Sequence, residues 1–155
     1  PDGARYAVES IWSRDAAVTF PGIARMVADA PSALSHALGV IYPAQSAVNA
    51  ALPDGAFSMV APVLGLVHGM WHDPAEDAAN LAWLRAGADA IASATLGHYV
   101  GEADLARPDR MARCHSGEAR ARLDVLRHTH DPQGRFAGRV VRDRALPRAA
   151  ALAAE

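Results

Sequence analysis

One stretch, AFSMVAPVLGLVHGMW (Ala56–Trp71), restricts the fold more than any other part of the chain. It is almost wholly apolar, so it belongs in a core. Yet Pro62, Gly65 and Gly69 interrupt it, and inside a helix a glycine costs about 1 kcal/mol and a proline about 3 relative to alanine. An extended chain accepts the same residues. The stretch is predicted to be a long strand with a bend or bulge, Pro62 lying near an edge where its missing amide does little harm.

The flanking segments supply partners for it. YAVESIW (Tyr6–Trp12) alternates and is rich in β-branched and aromatic residues, the pattern of a strand, and ALSHALGVIY (Ala33–Tyr42) reads as another, ended by Pro43. Between them FPGIARMVADAPS predicts a helix with Pro21 in its first turn, Ile23, Met26, Val27 and Ala30 on one face, and Pro31 as its stop. After the apolar strand, DPAEDAANLAWLRAGADAIAS gives the strongest helix signal. Asp73 is a good N-cap, Pro74 suits the first turn and Glu76 would complete a capping box. Ala78, Leu81, Ala82, Arg85 and Ala88 share helical spacing there, with Trp83 and Leu84 widening the apolar face. A polar loop from Gly97 to His115 follows. A last helix is expected from about Ser116 to the Asp131-Pro132 turn, with Ala119, Leu123 and Leu126 inward, and a short helix in the alanine-rich tail. The order β-α-β-β-α-loop-α fits an α+β domain, an antiparallel sheet with helices packed on one face. Its helix–sheet core is expected to hold Leu81, Trp83 or Leu84, Leu123 and Leu126.

Composition removes several functions. With 155 residues, 51% of them hydrophobic, the chain can bury one domain's core. The fifteen basic residues are all arginine, against seventeen acidic ones. The one basic cluster (Arg107, Arg110, Arg113, Arg120, Arg122, Arg127) is interleaved with Asp104, Asp109, Glu118 and Asp124, so it predicts a solvated, ion-paired face rather than a nucleic-acid footprint. The single cysteine, Cys114, excludes an internal disulfide and is expected to be a small semi-buried residue. His68 with His72, and His128 with His130, lack the spacing and partners of a metal site, so no metal is expected. No run approaches the roughly 18 apolar residues of a membrane helix, and no signal-peptide pattern appears, which points to a cytoplasmic protein without a membrane partner. The first residue is Pro1, not methionine, which suggests processing or missing upstream residues.

The polar loop raises the functional question. HYVGEAD (His98–Asp104) sets an aromatic hydroxyl among carboxylates just before a helix that ends in RLDVLRHTHDPQGRF. Together with ADAPSALSHALG, the strand ending at Trp71 and DPAEDAANLAWLR, these segments resemble the berberine-bridge-enzyme-like FAD-linked oxidases. The similarity runs over about residues 5–138 and is to the second half of those proteins, the substrate domain and its C-terminal signature, here at about 97–138. The resemblance implies one domain over 1–155, with the FAD-binding domain absent from this chain. It also implies oxidation of a small aromatic or polycyclic metabolite by hydride transfer to flavin, with oxygen as the final acceptor. FAD is then a cofactor of the complete protein, held mainly by a flavin domain in the same or a separate chain.

Within that family resemblance Tyr99 is the tyrosine of a Tyr-x-Asn-type loop lining the flavin and substrate cavity. Gly101 stands where asparagine is usual and Glu102 where a second tyrosine is common, while Asp104 fits the family's acidic position. Tyr99, Gly101, Glu102 and Asp104 are thus the expected cofactor contacts. Candidate bases come from strand alternation. His68 shares a face with Leu64, Leu66 and Met70 and can titrate near neutral pH. Glu9, an acid inside a strand, must face solvent or a functional cavity. Tyr99, His68 and Glu9 are therefore the catalytic candidates. A stand-alone ligand-binding or dimerisation module that has lost its flavin domain is the alternative, and a homo-oligomer stays open.

Overall fold

The computed structural model describes residues 3–42 and 55–136. In chain order they form β1 (Arg5–Ser13), α1 (Ala16–Ala28), β2 (His36–Ile41), β3 (Val63–Trp71), α2 (Asp77–Ala90), β4 (Thr95–Gly97), α3 (Pro108–Ala112) and α4 (Gly117–His130). The expected tail helix lies outside the described residues. β1 and β3 pair antiparallel without a break from Arg5↔Trp71 to Ser13↔Val63. β2 takes the other side of β3 and β4 the other side of β1, giving the spatial order β2-β3-β1-β4, antiparallel throughout. The architecture is α+β, as the alternation of elements predicted.

β3 is therefore an inner strand, and that corrects its boundary. An inner strand uses its amides on both sides, so Pro62 cannot belong to it. The ladder begins at Val63, and the Pro62 carbonyl instead accepts a hydrogen bond from Tyr42 N at 2.6 Å. α1 also starts earlier than expected. The Asp15 carboxylate caps it, accepting from Val18 N at 3.0 Å, which places Pro21 inside the helix on its exposed side. The helix gives up one backbone bond there and keeps Thr19, Ile23 and Met26 buried against the sheet. Asp73 caps a 3₁₀ turn (Pro74–Glu76) instead of the helix proper, and α2 then buries Asn80, Leu84 and Ala88, leaving Ala78 and Ala82 exposed.

Side-chain alternation divides the sheet into two different faces. The helix side holds Ile11, Ile23, Met26, Val67, Leu84 and Ile91 as one core. Trp83 helps fix the two long helices, its indole N–H donating to Met26 O at 2.8 Å. On the other face a second cluster of Trp12, Ala61, Leu64 and Leu66 is covered by Met59 and Val60, and it occupies one end only. α4 joins neither core. Its one buried residue is Ala119, Leu123 is half-buried and Leu126 is 53% exposed, against the expectation for both leucines. α1 and α2 already cover the helix side of the sheet, which leaves α4 no place in that core.

Candidate functional site

The sheet face turned away from the helices carries Tyr6, Val8, Ser10 and Trp12 from β1, Leu64, Leu66, His68 and Met70 from β3, and His36 and Leu38 from β2. The segment 98–104 is tied to this face by its backbone. Ser10, wholly buried, accepts from Tyr99 N through its Oγ at 2.8 Å and donates to Tyr99 O at 3.3 Å. Beside it the Ser10 carbonyl accepts from His98 Nδ1 at 2.7 Å, and His98 N donates to Arg113 O at 3.1 Å. One strand residue thus holds two consecutive loop residues. Ser10→Ala should cost about 1–3 kcal/mol, because it leaves the part-buried Tyr99 amide without its acceptor. A denaturant titration checks this, and a loss below about 0.5 kcal/mol would contradict the anchor.

His68 sits toward the open end of the face. Its Nδ1 is 3.3 Å from the Tyr6 hydroxyl, its ring lies 4.9 Å from that of His36, and its Nε2 is 4.0 Å from Glu102 Oε1. Nε2 is buried and has no hydrogen-bond partner among the described residues. Burial, and then the neighbouring His36, hold the imidazole below its ordinary range against the pull of the Glu102 carboxylate. In the tautomer whose Nδ1–H donates to the Tyr6 hydroxyl, the neutral ring leaves Nε2 unprotonated and suited to accept a proton. Burial, reinforced by the Glu102 charge, pushes the Tyr6 phenol up.

Tyr99 lies at the covered end of the same face. Its ring meets Phe57 edge-on at 5.5 Å, and with Trp12, Tyr42, Leu64 and Glu102 these two line a cavity of about 270 Å³. Tyr99 and the sheet face of His68 are therefore joined through Glu102, which borders both. Gly101 is where the loop folds back, since a Cβ there would stand 3.0 Å from the Tyr99 ring. Asp104 is occupied elsewhere, accepting from Arg85 Nε at 2.7 Å and from Ala106 N at 3.2 Å.

Glu9 does not join this group. It points to the helix side, 0% exposed, where Arg110 Nε lies 2.7 Å and His98 Nδ1 3.2 Å from its Oε1. Neither carboxylate oxygen accepts an aligned hydrogen bond, so short-range charge holds the group. Arg110 also donates to Asp109 at 2.6 Å and to Asp89 at 3.0 Å, and it is only 3% exposed. The arginine cluster is thus solvated at Arg107, which bridges Asp89 and Asp109, but not at Arg110. Cys114 rests beneath, its thiol donating to Arg110 O at 3.2 Å, and burial followed by the Glu9 charge pushes the thiol up to about 11. That makes it a poor nucleophile.

Sequence reasoning missed Ser10, Trp12, Phe57, His98 and Arg110. Trp12 and Ser10 could have been found by extending to β1 the alternation applied to β3. Arg110 carried no signal beyond the acidic residues around it.

No protein-family model matches the chain. It is 26% identical over 148 residues to the FAD-linked oxidoreductase nodO of Hypoxylon pulicicidum, an alignment covering 92% of this chain and 31% of that protein. Among the solved structures that share the fold are two enzymes of biosynthesis. One is CrmK, a flavoenzyme involved in shunt-product recycling in caerulomycin biosynthesis, with TM-score 0.69 and 22% identity over 88% of this chain and 32% of that one. The other is GilR, an oxidoreductase catalysing the terminal step of gilvocarcin biosynthesis, solved with pregilvocarcin, with TM-score 0.63 and 23% identity over 87% and 32%. The chain spans about a third of the length of these proteins and is distantly related to FAD-linked oxidoreductases.

Proposed function

We propose that this chain, a distant relative of FAD-linked oxidoreductases, forms the substrate-side wall of a flavin site of the berberine-bridge-enzyme-like type. The complete protein would oxidise a small aromatic or polycyclic metabolite, with oxygen as acceptor. The carrying observation is the convergence of Tyr99, Glu102 and His68 on the sheet face that the helices leave free. The relationship to flavoproteins supports the cofactor, and pregilvocarcin bound to GilR supports the kind of substrate.

The residues present fit the ring end of a flavin. Leu38 and Met70 present apolar side chains on that face beside the unpartnered His68 Nε2, and Glu102 lies 4.0 Å from the same nitrogen. They do not fit the phosphate end, because no helix among the described residues opens on a glycine-rich phosphate-binding turn. A separate flavin domain, in the same chain or another, would supply that part. When bound, the flavin accepts the hydride. This chain's part is to orient the substrate between aromatic rings, keep water from it, and take up a proton at the Glu102 carboxylate or, through it, at His68 Nε2, with Tyr99 lining the same cavity as Glu102.

In the complete enzyme Tyr99→Phe should slow flavin reduction by roughly ten- to a thousandfold while leaving stability nearly unchanged, as loss of one hydroxyl in a proton route requires. Stopped-flow reduction kinetics measure this, and a wild-type rate in the variant would reject the role. Visible absorbance tests the reading as a whole. A full gene product, or a co-purifying partner, with a flavin band supports it, and a colourless product with no flavin-bearing partner favours the stand-alone binding module.

A further inference from the structure

Among the described residues β2 is an edge strand, bonded to β3 on one side only. At its start His36 stands directly opposite His68 in the β2–β3 ladder, and the two imidazoles lie 4.9 Å apart, tilted by 38°. Directly opposed side chains are the closest pairs across a ladder, and like charges there weaken it. Two neutral imidazoles pack, whereas two charged ones repel, so this pair changes sign with pH.

Each neutral ring can bind one more proton. His36 Nδ1 donates to Leu34 O at 3.2 Å, and since a carbonyl only accepts, the neutral ring carries no proton on Nε2. His68 has the Tyr6 hydroxyl at Nδ1 and an unbonded Nε2 4.0 Å from Glu102. The titratable groups facing His68 are thus His36 from β2, Tyr6 from β1 and Glu102 from the turn Val100–Glu102. The α1 residues that share a groove with His36 (Phe20, Ile23, Ala24, Val27) carry no charge. One carboxylate therefore serves two imidazoles. It offsets the first proton but not the second.

We propose that the His36–His68 pair is an acid-sensitive clasp: with neutral rings it holds the start of β2 against β3, and with both rings charged it releases that end of the edge strand and opens the sheet face beside Glu102. Regulation of the candidate site by this opening rests on the proposed function. The opening itself does not. Proton linkage gives its direction. Burial and His36 make the folded state resist charging His68, so it binds fewer protons than the opened state. The clasp is then intact above the roughly 6.5 of an ordinary imidazole and weakens as pH falls below it. The loss is local, because β1 and β3 pair without a break and need no help from β2.

Amide hydrogen exchange of the chain itself, followed by NMR, tests this. Tyr42 N donates across the ladder to Pro62 O, and strand alternation turns the Val40 and Leu38 amides the same way, toward β3. Between about pH 7.5 and about pH 5, protection of Leu38 relative to the β1 amides should fall about tenfold or more, since each unit by which a pKa is lowered shifts the opening equilibrium tenfold. Val40, further from the pair, should lose less. His36→Gln, at an exposed position, keeps a polar side chain that cannot charge, and should shrink the Leu38 change to within about twofold. Protected β1 amides report that each protein stays folded. Leu38 protection that stays level with β1 down to about pH 5, an acid loss that survives His36→Gln, or β1 losing protection together with β2 would each overturn the clasp. None of these outcomes involves flavin, so a colourless protein can show the clasp and a yellow one can lack it.

Discussion

Arg110→Met should lower the unfolding free energy by about 3–5 kcal/mol, the largest effect expected of any single change here. The substitution keeps much of the side chain's volume, so the loss reports charge rather than a cavity. It strips Glu9 of the guanidinium 2.7 Å away in a site where both groups are at most 3% exposed. His98 stays near the carboxylate but is already committed through Nδ1 to Ser10 O. Removing both charges should be far milder. Glu9→Leu with Arg110→Met abolishes the desolvation cost along with the attraction, and should fall within about 1–2 kcal/mol of wild type. Urea titrations of the two singles and the double form the cycle. A double variant as unstable as Arg110→Met alone would mean that Arg110 acts through Asp89 and Asp109 instead.

Gly97→Ala should cost about 2–4 kcal/mol and lower the melting midpoint by roughly 6–12 °C. A Cβ on Gly97 would stand 2.5 Å from the Arg113 carbonyl oxygen, with Met59 closer still. A flexible methionine can move. The carbonyl cannot, because it is the acceptor of His98 N and part of the tie that seats the Tyr99 loop. The effect should therefore reach the cavity and loosen the Phe57–Tyr99 contact. Gly117 is the control. A Cβ there meets nothing within 4 Å, so Gly117→Ala in the first turn of α4 should be neutral or slightly stabilising. Thermal melts of the pair decide the matter, and equal midpoints would refute the steric account.

What the sequence made legible follows from periodicity. Tyr6–Trp12 and Val63–Trp71 alternate between two different faces, so strand identity and the placement of His68 opposite Val67 could be read directly. β4 could not, because three residues are too few to show a period. Pro21 drew the start of α1 toward itself, although Asp15 carried the true capping signal six residues earlier, ahead of Ala16 and Ala17. Leu123 and Leu126 have helical spacing, but spacing says only that a face exists, not that anything covers it. The Tyr99 loop stood out in the sequence by its polarity. What holds it, Ser10 from β1 and the Arg113 carbonyl, joins residues up to 89 positions apart, which no local pattern records.

The strand order has a kinetic consequence. Of the described elements β1 is made first, yet its two neighbours are β3 and β4, which pair as Arg5↔Trp71 and Trp12↔Gly97. At roughly 5–20 residues per second, β1 waits several seconds for its first partner. During that interval Ile11 and Trp12 and both edges of the strand have no native cover, and closing such distant loops is intrinsically slow. The nascent chain is thus most prone to aggregate before residue 71 is made. The Ser10 clamp forms only once the segment after the last strand is made, so a chain stalled before Gly97 would lack the Tyr99 and Glu102 side of the candidate site.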